Sequence, residues 1–412
     1  MKKEKKRNFY AVRKPLGLLY WFAVNVMSLY FRLIYGLRLD RSQMKGLKAP
    51  VLVLSNHESN FDFFVSAFAL YPLKLHFMVS TYFFHHSLLG RLLYLMGCVP
   101  KKQFVPDTSA IKTVLRLAEN KENICIFPEG QTCYTGEVSD IDMSTAKLVK
   151  KLGITTAAVT VRGNHLTFPK WANGRKYPSR VEGKAKIILT PEQIKELSLC
   201  EIEQILSAAL YYNDFEWQRE TMAKSRKPRT TDGLENIVYR CPKCNRDFAM
   251  RSDKGRKLIC ESCGYSVVYN DYGFFETENN EKPVYDNSAD WFNFERRAIS
   301  EEIDSGGLPF VCDCSLGKTV EGKQGYTPCG EGTMTLDEKG IHFVGTKNGE
   351  PFEVGALYEH QTTLPHNAGL CAIDIHGVGE NYALIPDDRR KMIKFVEGYL
   401  IMRKRRDAEM SK

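Results

Sequence analysis

Between residues 48 and 200, short apolar runs alternate with amphipathic segments, and that alternation restricts the architectures open to this chain. Val51-Leu52-Val53-Leu54 offers no polar side to water, as expected of a strand buried on both faces. Residues 75–80 and 124–127 read the same way, and residues 155–163 and 184–190 continue the series. Between them, residues 63–70 and 110–120 carry apolar side chains at helical spacing. The expected fold class is therefore α/β, a central sheet covered by helices over residues 46–220. Pro191 suits a first helical turn, and one helix is expected to run from there through the segment EIEQILSAALYYNDFEWQRE.

Ahead of this domain, the 17 residues from Pro15 to Phe31 carry no charge and lie between Lys14 and Arg32. That length is at the lower edge of the roughly 17–25 residues that span a bilayer. Tyr20, Trp21, Tyr30 and Phe31 favour the headgroup boundary, so a membrane-associated helix is expected, either spanning or lying in one leaflet. No small-residue cleavage site follows, and the segment is expected to stay in the protein. The net charge of +9 is uneven, with Lys2, Lys3, Lys5, Lys6 and Arg7 near one end and Arg403, Lys404, Arg405 and Arg406 near the other. Each run suits either an anionic surface or a solvated tail.

The sequence Asn56-His57-Glu58-Ser59-Asn60-Phe61-Asp62 follows the first strand. A histidine can take a proton from a hydroxyl, and a carboxylate can fix its tautomer. Five residues on a straight helix turn through about 500°, which leaves the two side chains about 140° apart. A bend is therefore predicted, with His57 on the loop after residues 51–55, Asp62 in the first turn of the next helix, and Ser59 or Asn60 as its N-cap. A histidine with an aspartate five residues on also occurs by chance, so the pair alone is weak.

Three further segments change that. Gly97-Cys98-Val99-Pro100-Lys101-Lys102, Phe127-Pro128-Glu129-Gly130, and Ala158-Val159-Thr160-Val161-Arg162-Gly163 with Pro169 follow in order. Together with His57 and Asp62 they resemble the four blocks of the 1-acylglycerol-3-phosphate acyltransferase family, over residues of about 15–220. The resemblance implies a glycerolipid O-acyltransferase in which His57 is the general base and Asp62 orients it. It further implies that Lys101 or Lys102 holds the acceptor's phosphate in place of the family's usual Arg. Glu129 and Gly130 would shape the acceptor pocket, Gly130 by allowing a close backbone approach. Gln131-Thr132-Cys133 stands where the family commonly has Thr-Arg-Ser, and Ala158 where it commonly has Pro. Arg162 is either a replacement for the missing positive charge or a strand-end surface residue. These departures leave the acceptor open between 1-acyl-sn-glycerol-3-phosphate and another lysophospholipid. His76, His85, His86 and His165 are read as structural or interfacial.

Cys241-Pro242-Lys243-Cys244, fifteen residues, then Cys260-Glu261-Ser262-Cys263 has the spacing of a four-thiolate zinc ribbon over residues 237–275. Four thiolates fill a tetrahedron, so the Zn²⁺ expected at Cys241, Cys244, Cys260 and Cys263 is structural. Residues 221–236 read as a polar linker. Residues 291–412 read as an α+β module of short strands with a terminal helix, similar in element order to the small pleckstrin-homology barrels. Cys312, Cys314, Cys329 and His342 match no metal-site spacing and are read as ordinary buried residues.

The expected enzyme works at the cytoplasmic face of the cell membrane on membrane lipid. Its donor is acyl-coenzyme A, an acyl phosphate or an acyl carrier protein, and no organic cofactor or nucleic-acid partner is expected. The alternative is a membrane-tethered zinc-ribbon scaffold for nucleic acid or protein, with an inactive acyltransferase-like domain.

Overall fold

The computed structural model describes residues 12–84, 87–102, 107–138, 141, 143–279, 281–319, 325–361, 364–377 and 380–410. Lys2, Lys3, Lys5, Lys6, Arg7, His85 and His86 lie outside the described residues. The chain forms two compact units, one of residues 1–168 and 178–223, the other of residues 169–177 and 224–412.

In chain order the first unit comprises α1 (Gly17–Tyr35), β1 (Arg38–Asp40), β2 (Val51–Ser55), α2 (Asp62–Leu70), β3 (Leu75–Ser80), α3 (Thr81–Phe84), α4 (Ser87–Leu95) and β4 (Val99–Lys101). It continues with α5 (Thr108–Glu119), β5 (Asn123–Ile126), α6 (Met143–Leu152), β6 (Thr155–Arg162), α7 (Asn164–Thr167), β7 (Glu182–Leu189), α8 (Pro191–Glu196), α9 (Leu199–Leu210) and α10 (Asp214–Thr221). The strands form one sheet in the order β1-β7-β6-β2-β5-β3-β4. Strand β2 pairs in parallel with β5 and β6, while β7 runs antiparallel to β6.

The continuous apolar run of β2 is explained by this central place. Val51 and Val53 join a core with α1 and α2 on one side of the sheet. Leu52 and Leu54 join a second core that contains residues of α5, α6 and α9. Alternate side chains of a strand point to opposite faces, so each face needs its own apolar cover.

Helix α1 divides its residues in the same manner. Tyr20, Val24, Phe31 and Tyr35 are buried, and the Tyr20 hydroxyl accepts the Leu75 amide at 3.2 Å. Leu18, Phe22, Leu29 and Leu33 form an opposite stripe, 57–82% exposed.

The single helix expected after Pro191 is three helices. Leu197 is extended, and Ser198 opens α9 with a reciprocal capping box to Glu201. Asn213 then caps α10 by accepting the amides of Phe215 and Glu216. Each cap satisfies amides that a continuous helix would have bonded internally, so the chain restarts at each of them.

The second unit contains β8 (Met250–Ser252), β9 (Lys257–Cys260), β10 (Ser266–Tyr269), β11 (Phe275–Glu276), α11 (Ser288–Asp304), β12 (Phe310–Thr319), β13 (Tyr326–Leu336), β14 (Gly340–Lys347), β15 (Glu350–Leu357), β16 (His366–Asn367), β17 (Ala372–His376), β18 (Asn381–Pro386) and α12 (Lys391–Met410). Strands β8 to β11 make a small antiparallel sheet, and β12 to β18 a larger one in the order β15-β14-β13-β12-β18-β17-β16. Arg229, inside the stretch that reads as polar linker, is fully buried, with its guanidinium over the rings of Tyr177 and Tyr269. Within the segment 169–177, Trp171 is buried beside the Tyr269 ring, and Arg175 pairs with Asp232.

The basic run of α12 is largely neutralised inside its own unit. Arg403 pairs with Asp407, Arg405 with Asp304 and Arg406 with Glu359. This leaves it less free for an anionic surface than the bare sequence implies.

Candidate active site

His57 follows β2, Phe127–Gly130 follow β5, and Gly163 and Asn164 follow β6. These three strands are adjacent and parallel, with Leu54 opposite Ile126 and Ser55 opposite Val159. All three segments therefore leave the sheet at its carboxyl edge, where open α/β sheets gather their functional loops.

His57 Nδ1 lies 2.9 Å from Asp62 Oδ2. The bend demanded by the spacing is present, because α2 begins at Asp62 itself. Neither Ser59 nor Asn60 is its N-cap. Phe61 holds that position without a side-chain bond, and the Asp62 carboxylate reaches back to accept the Ser59 amide at 2.8 Å and the Ser59 hydroxyl at 3.2 Å. Asp62 is fully buried, whereas the His57 side chain keeps 22% exposure. The His57 ring stacks on Phe127, with centroids 4.3 Å apart. A carboxylate on Nδ1 selects the tautomer that donates there, which leaves the Nε2 lone pair to take a proton.

Glu129 is joined to this pair, since its Oε1 accepts the His57 amide at 2.6 Å. Gly130 has φ +73°, and a Cβ there would meet nothing within 4 Å. The turn needs glycine for its left-handed backbone, and no protein atom crowds the position. Lys101 ends β4, and the Lys102 amide donates to Asp107, the N-cap of α5. Arg162 ends β6 with its guanidinium over the Tyr212 ring, 5.9 Å from the centroid.

The structure also brings in residues that the motif reading passed over. Asn164 Nδ2 donates to Asp62 Oδ1 at 2.5 Å and to Ser59 Oγ at 3.1 Å. Asp214, fully buried, accepts the amides of Gly163 and Leu166 and the Tyr212 hydroxyl. Burial pushes its carboxyl up to about 6. Gly163 has φ +74°, and any Cβ would lie 2.3 Å from the Arg180 carbonyl oxygen. Glycine is thus obligatory just where the chain turns to present Asn164.

In the second unit, the four ribbon cysteines have their sulfurs within 4.8 Å of one another. Two turns of matching geometry achieve this. The Cys241 amide donates to the Arg246 carbonyl and the Asn245 amide to that of Cys241, while Cys260 does the same with Tyr265 and Gly264. Asn245 and Gly264 occupy the left-handed region that closes each turn. The Cys241–Cys263 and Cys244–Cys260 sulfur separations are 3.7 Å. A tetrahedral ion with metal–sulfur bonds of about 2.3 Å requires about 3.8 Å between sulfurs, so the donor set fits a metal ion. Among the described residues, Cys312, Cys314, Cys329 and His342 belong to no such cluster.

A mostly parallel α/β sheet with a histidine–carboxylate pair at its carboxyl edge defines a domain equipped to draw a proton from a substrate. Residues 36–162 match the Acyltransferase family model. The chain is 22% identical over 112 residues to the 1-acyl-sn-glycerol-3-phosphate acyltransferase of Bacillus subtilis, a match covering 27% of this chain and 56% of that protein. It thus spans little more than half the length of that relative. The crystal structure of the 1-acyl-sn-glycerophosphate (LPA) acyltransferase PlsC from Thermotoga maritima is similar at 14% identity with a TM-score of 0.39, covering 47% of this chain and 75% of that one.

Proposed function

We propose that the protein is an O-acyltransferase that moves a fatty acyl group from an activated donor to the hydroxyl of a lysophospholipid, foremost 1-acyl-sn-glycerol-3-phosphate, at a membrane surface. The observation that carries this reading is the 2.9 Å contact of His57 Nδ1 with Asp62 inside the stretch that matches the Acyltransferase family model. His57 Nε2 takes the acceptor's hydroxyl proton as the oxygen attacks the acyl carbonyl. The tetrahedral intermediate then expels the donor's leaving group, which recovers the proton from the imidazolium. Asp62 stabilises that imidazolium, and Glu129 holds the His57 backbone. Lys101, Lys102 and Arg162 are assigned to the anionic headgroup of the acceptor, Gly130 to the wall of its pocket.

Helix α1 supports a membrane reading of a particular kind. A helix with one face built into the domain core offers only its other face to lipid, so it lies in one leaflet at the cytoplasmic side and does not span. The four-cysteine cluster is assigned a structural Zn²⁺ with no open coordination position.

The reading is tested by purifying the full chain in detergent, supplying acyl donors and lysophospholipids, and following products by mass spectrometry beside His57→Ala. Transfer by the native chain that the variant loses is expected. Equal product from both, or none with any acceptor, refutes the reading.

A further inference from the structure

We propose that Glu58, Cys133 and His165 form a second metal site, taking Zn²⁺, next to the His57–Asp62 pair. The three residues come from the loop after β2, the segment after β5 and α7, and all are buried. Their donor atoms lie within 4.8 Å of one another, with Cys133 Sγ 3.0 Å from Glu58 Oε2. A carboxylate, a thiolate and an imidazole together form the borderline donor set that suits zinc.

Charge supplies an independent argument. Glu58, Asp62 and Asp214 are fully buried in the first unit, and among its described residues no Lys or Arg is. Asp62 is served by His57, Ser59 and Asn164, and Asp214 by two amides and a hydroxyl. Glu58 has the Asn56 amide group at 3.2 Å and the thiol of Cys133, a weak donor. It is the least compensated of the three, and its neighbours are ligand types. A dication held by one carboxylate and one thiolate is neutral as a unit, whereas a bare buried carboxylate is costly. Without an ion, burial and the surrounding carboxylates push both Glu58 and Cys133 well up, towards their protonated forms.

The surroundings also aim the imidazole. Gly136 faces the His165 ring so closely that a Cβ would lie 2.8 Å from its Cδ2. The Phe215 ring meets His165 edge-on, with centroids 6.3 Å apart. The Cys133 amide donates to the His57 carbonyl at 2.8 Å. An ion on Cys133 and Glu58 therefore braces the loop that carries His57 from both its sides. Three protein ligands leave one position for water.

The test counts metal and sulfur in the full chain after loading with zinc and desalting. Elemental analysis is expected to find about two zinc ions per chain, and X-ray absorption about 2.5 sulfurs per zinc, with nitrogen and oxygen making up the remainder. Cys133→Ser and His165→Gln should each fall to about one zinc with about four sulfurs. Cys241→Ser/Cys260→Ser should keep about one zinc in mixed ligation, which separates this site from the ribbon. The absorption measurement on the native chain decides the matter even if a variant fails to fold. One zinc with four sulfurs in the native chain overturns the proposal, as does a metal content that Cys133→Ser and His165→Gln leave unchanged.

Discussion

Asn164 donates to Asp62 Oδ1 across 102 residues of sequence, at 2.5 Å and wholly out of water. The other oxygen of the same carboxylate meets His57, so Asn164 fixes the plane in which Asp62 presents itself to the imidazole. Asn164→Ala is expected to lower kcat about 10- to 100-fold, part of the roughly 10²–10⁴ that a positioned base supplies, and to leave KM within a few-fold. Asn164→Asp sets a second carboxylate against Asp62 and should also displace the alkaline or acid limb of the rate profile. A purely structural asparagine would change stability in both variants and move neither the profile nor the kcat-to-KM split.

The buried carboxyl of Asp214 gives a pH dependence of definite sign. Its folded value of about 6 lies above the ordinary 3.8, so the folded state holds a proton that the unfolded state releases. The stability this group contributes is complete below about pH 4 and is lost as pH rises through about 6, with a span of about 3 kcal/mol. Asp214→Asn should unfold in denaturant with a smaller loss of stability between pH 4.5 and pH 7 than the native chain shows. Equal slopes for the two proteins would contradict the argument.

Removing metal from the cysteine ribbon should unfold that module, because β8 to β11 are short strands, with one ligand pair in the turn ahead of β8 and the other where β9 turns into β10. Structural zinc contributes about 10–16 kcal/mol of apparent binding energy in small ribbon-like modules at neutral pH. Chelator treatment is expected to lower the thermal midpoint and to open the chain near Lys243 and Lys254 to trypsin, with zinc restoring both.

The exposed stripe of α1 predicts where lipid contact lies. Leu18→Glu with Leu33→Glu introduces two charges at positions that are 82% and 64% exposed, so the fold should tolerate them. Sedimentation with anionic vesicles should show at least about a tenfold loss of bound protein, since a charged side chain in the apolar layer costs a few kcal/mol. Tyr20→Glu, on the buried face, should destabilise the domain.

The parts of the site that were legible in sequence are those where chemistry and chain order coincide. His57 and Asp62 stand five residues apart, so one loop and one helix start bring them together. Asn164 could not be read in this way, because its place depends on β6 lying beside β2, a pairing between strands 100 residues apart. The same holds for Glu58 with Cys133 and His165, which meet only because the segments after β2, β5 and β6 leave the sheet side by side. The strand at Val51–Ser55 was legible because burial on both faces leaves no polar position. The helix boundaries near Leu197 and Asn213 were not, because apolar spacing continues across the caps that interrupt it. Ser198-x-x-Glu201 was the available signal for the first of these breaks.

Residues 169–177 leave the first unit, join the second, and hand the chain back at Pro178. Neither unit is consequently a contiguous stretch of gene. A fragment ending at Ala223 would keep Trp171 while losing Tyr269, the ring beside it, and Arg175 while losing Asp232. The second half cannot therefore be shed by a stop codon or grafted by simple end-to-end fusion without leaving an apolar indole and an unpaired guanidinium behind. What looks in linear order like one domain followed by an accessory tail is two units whose sequences interleave at residues 169–177.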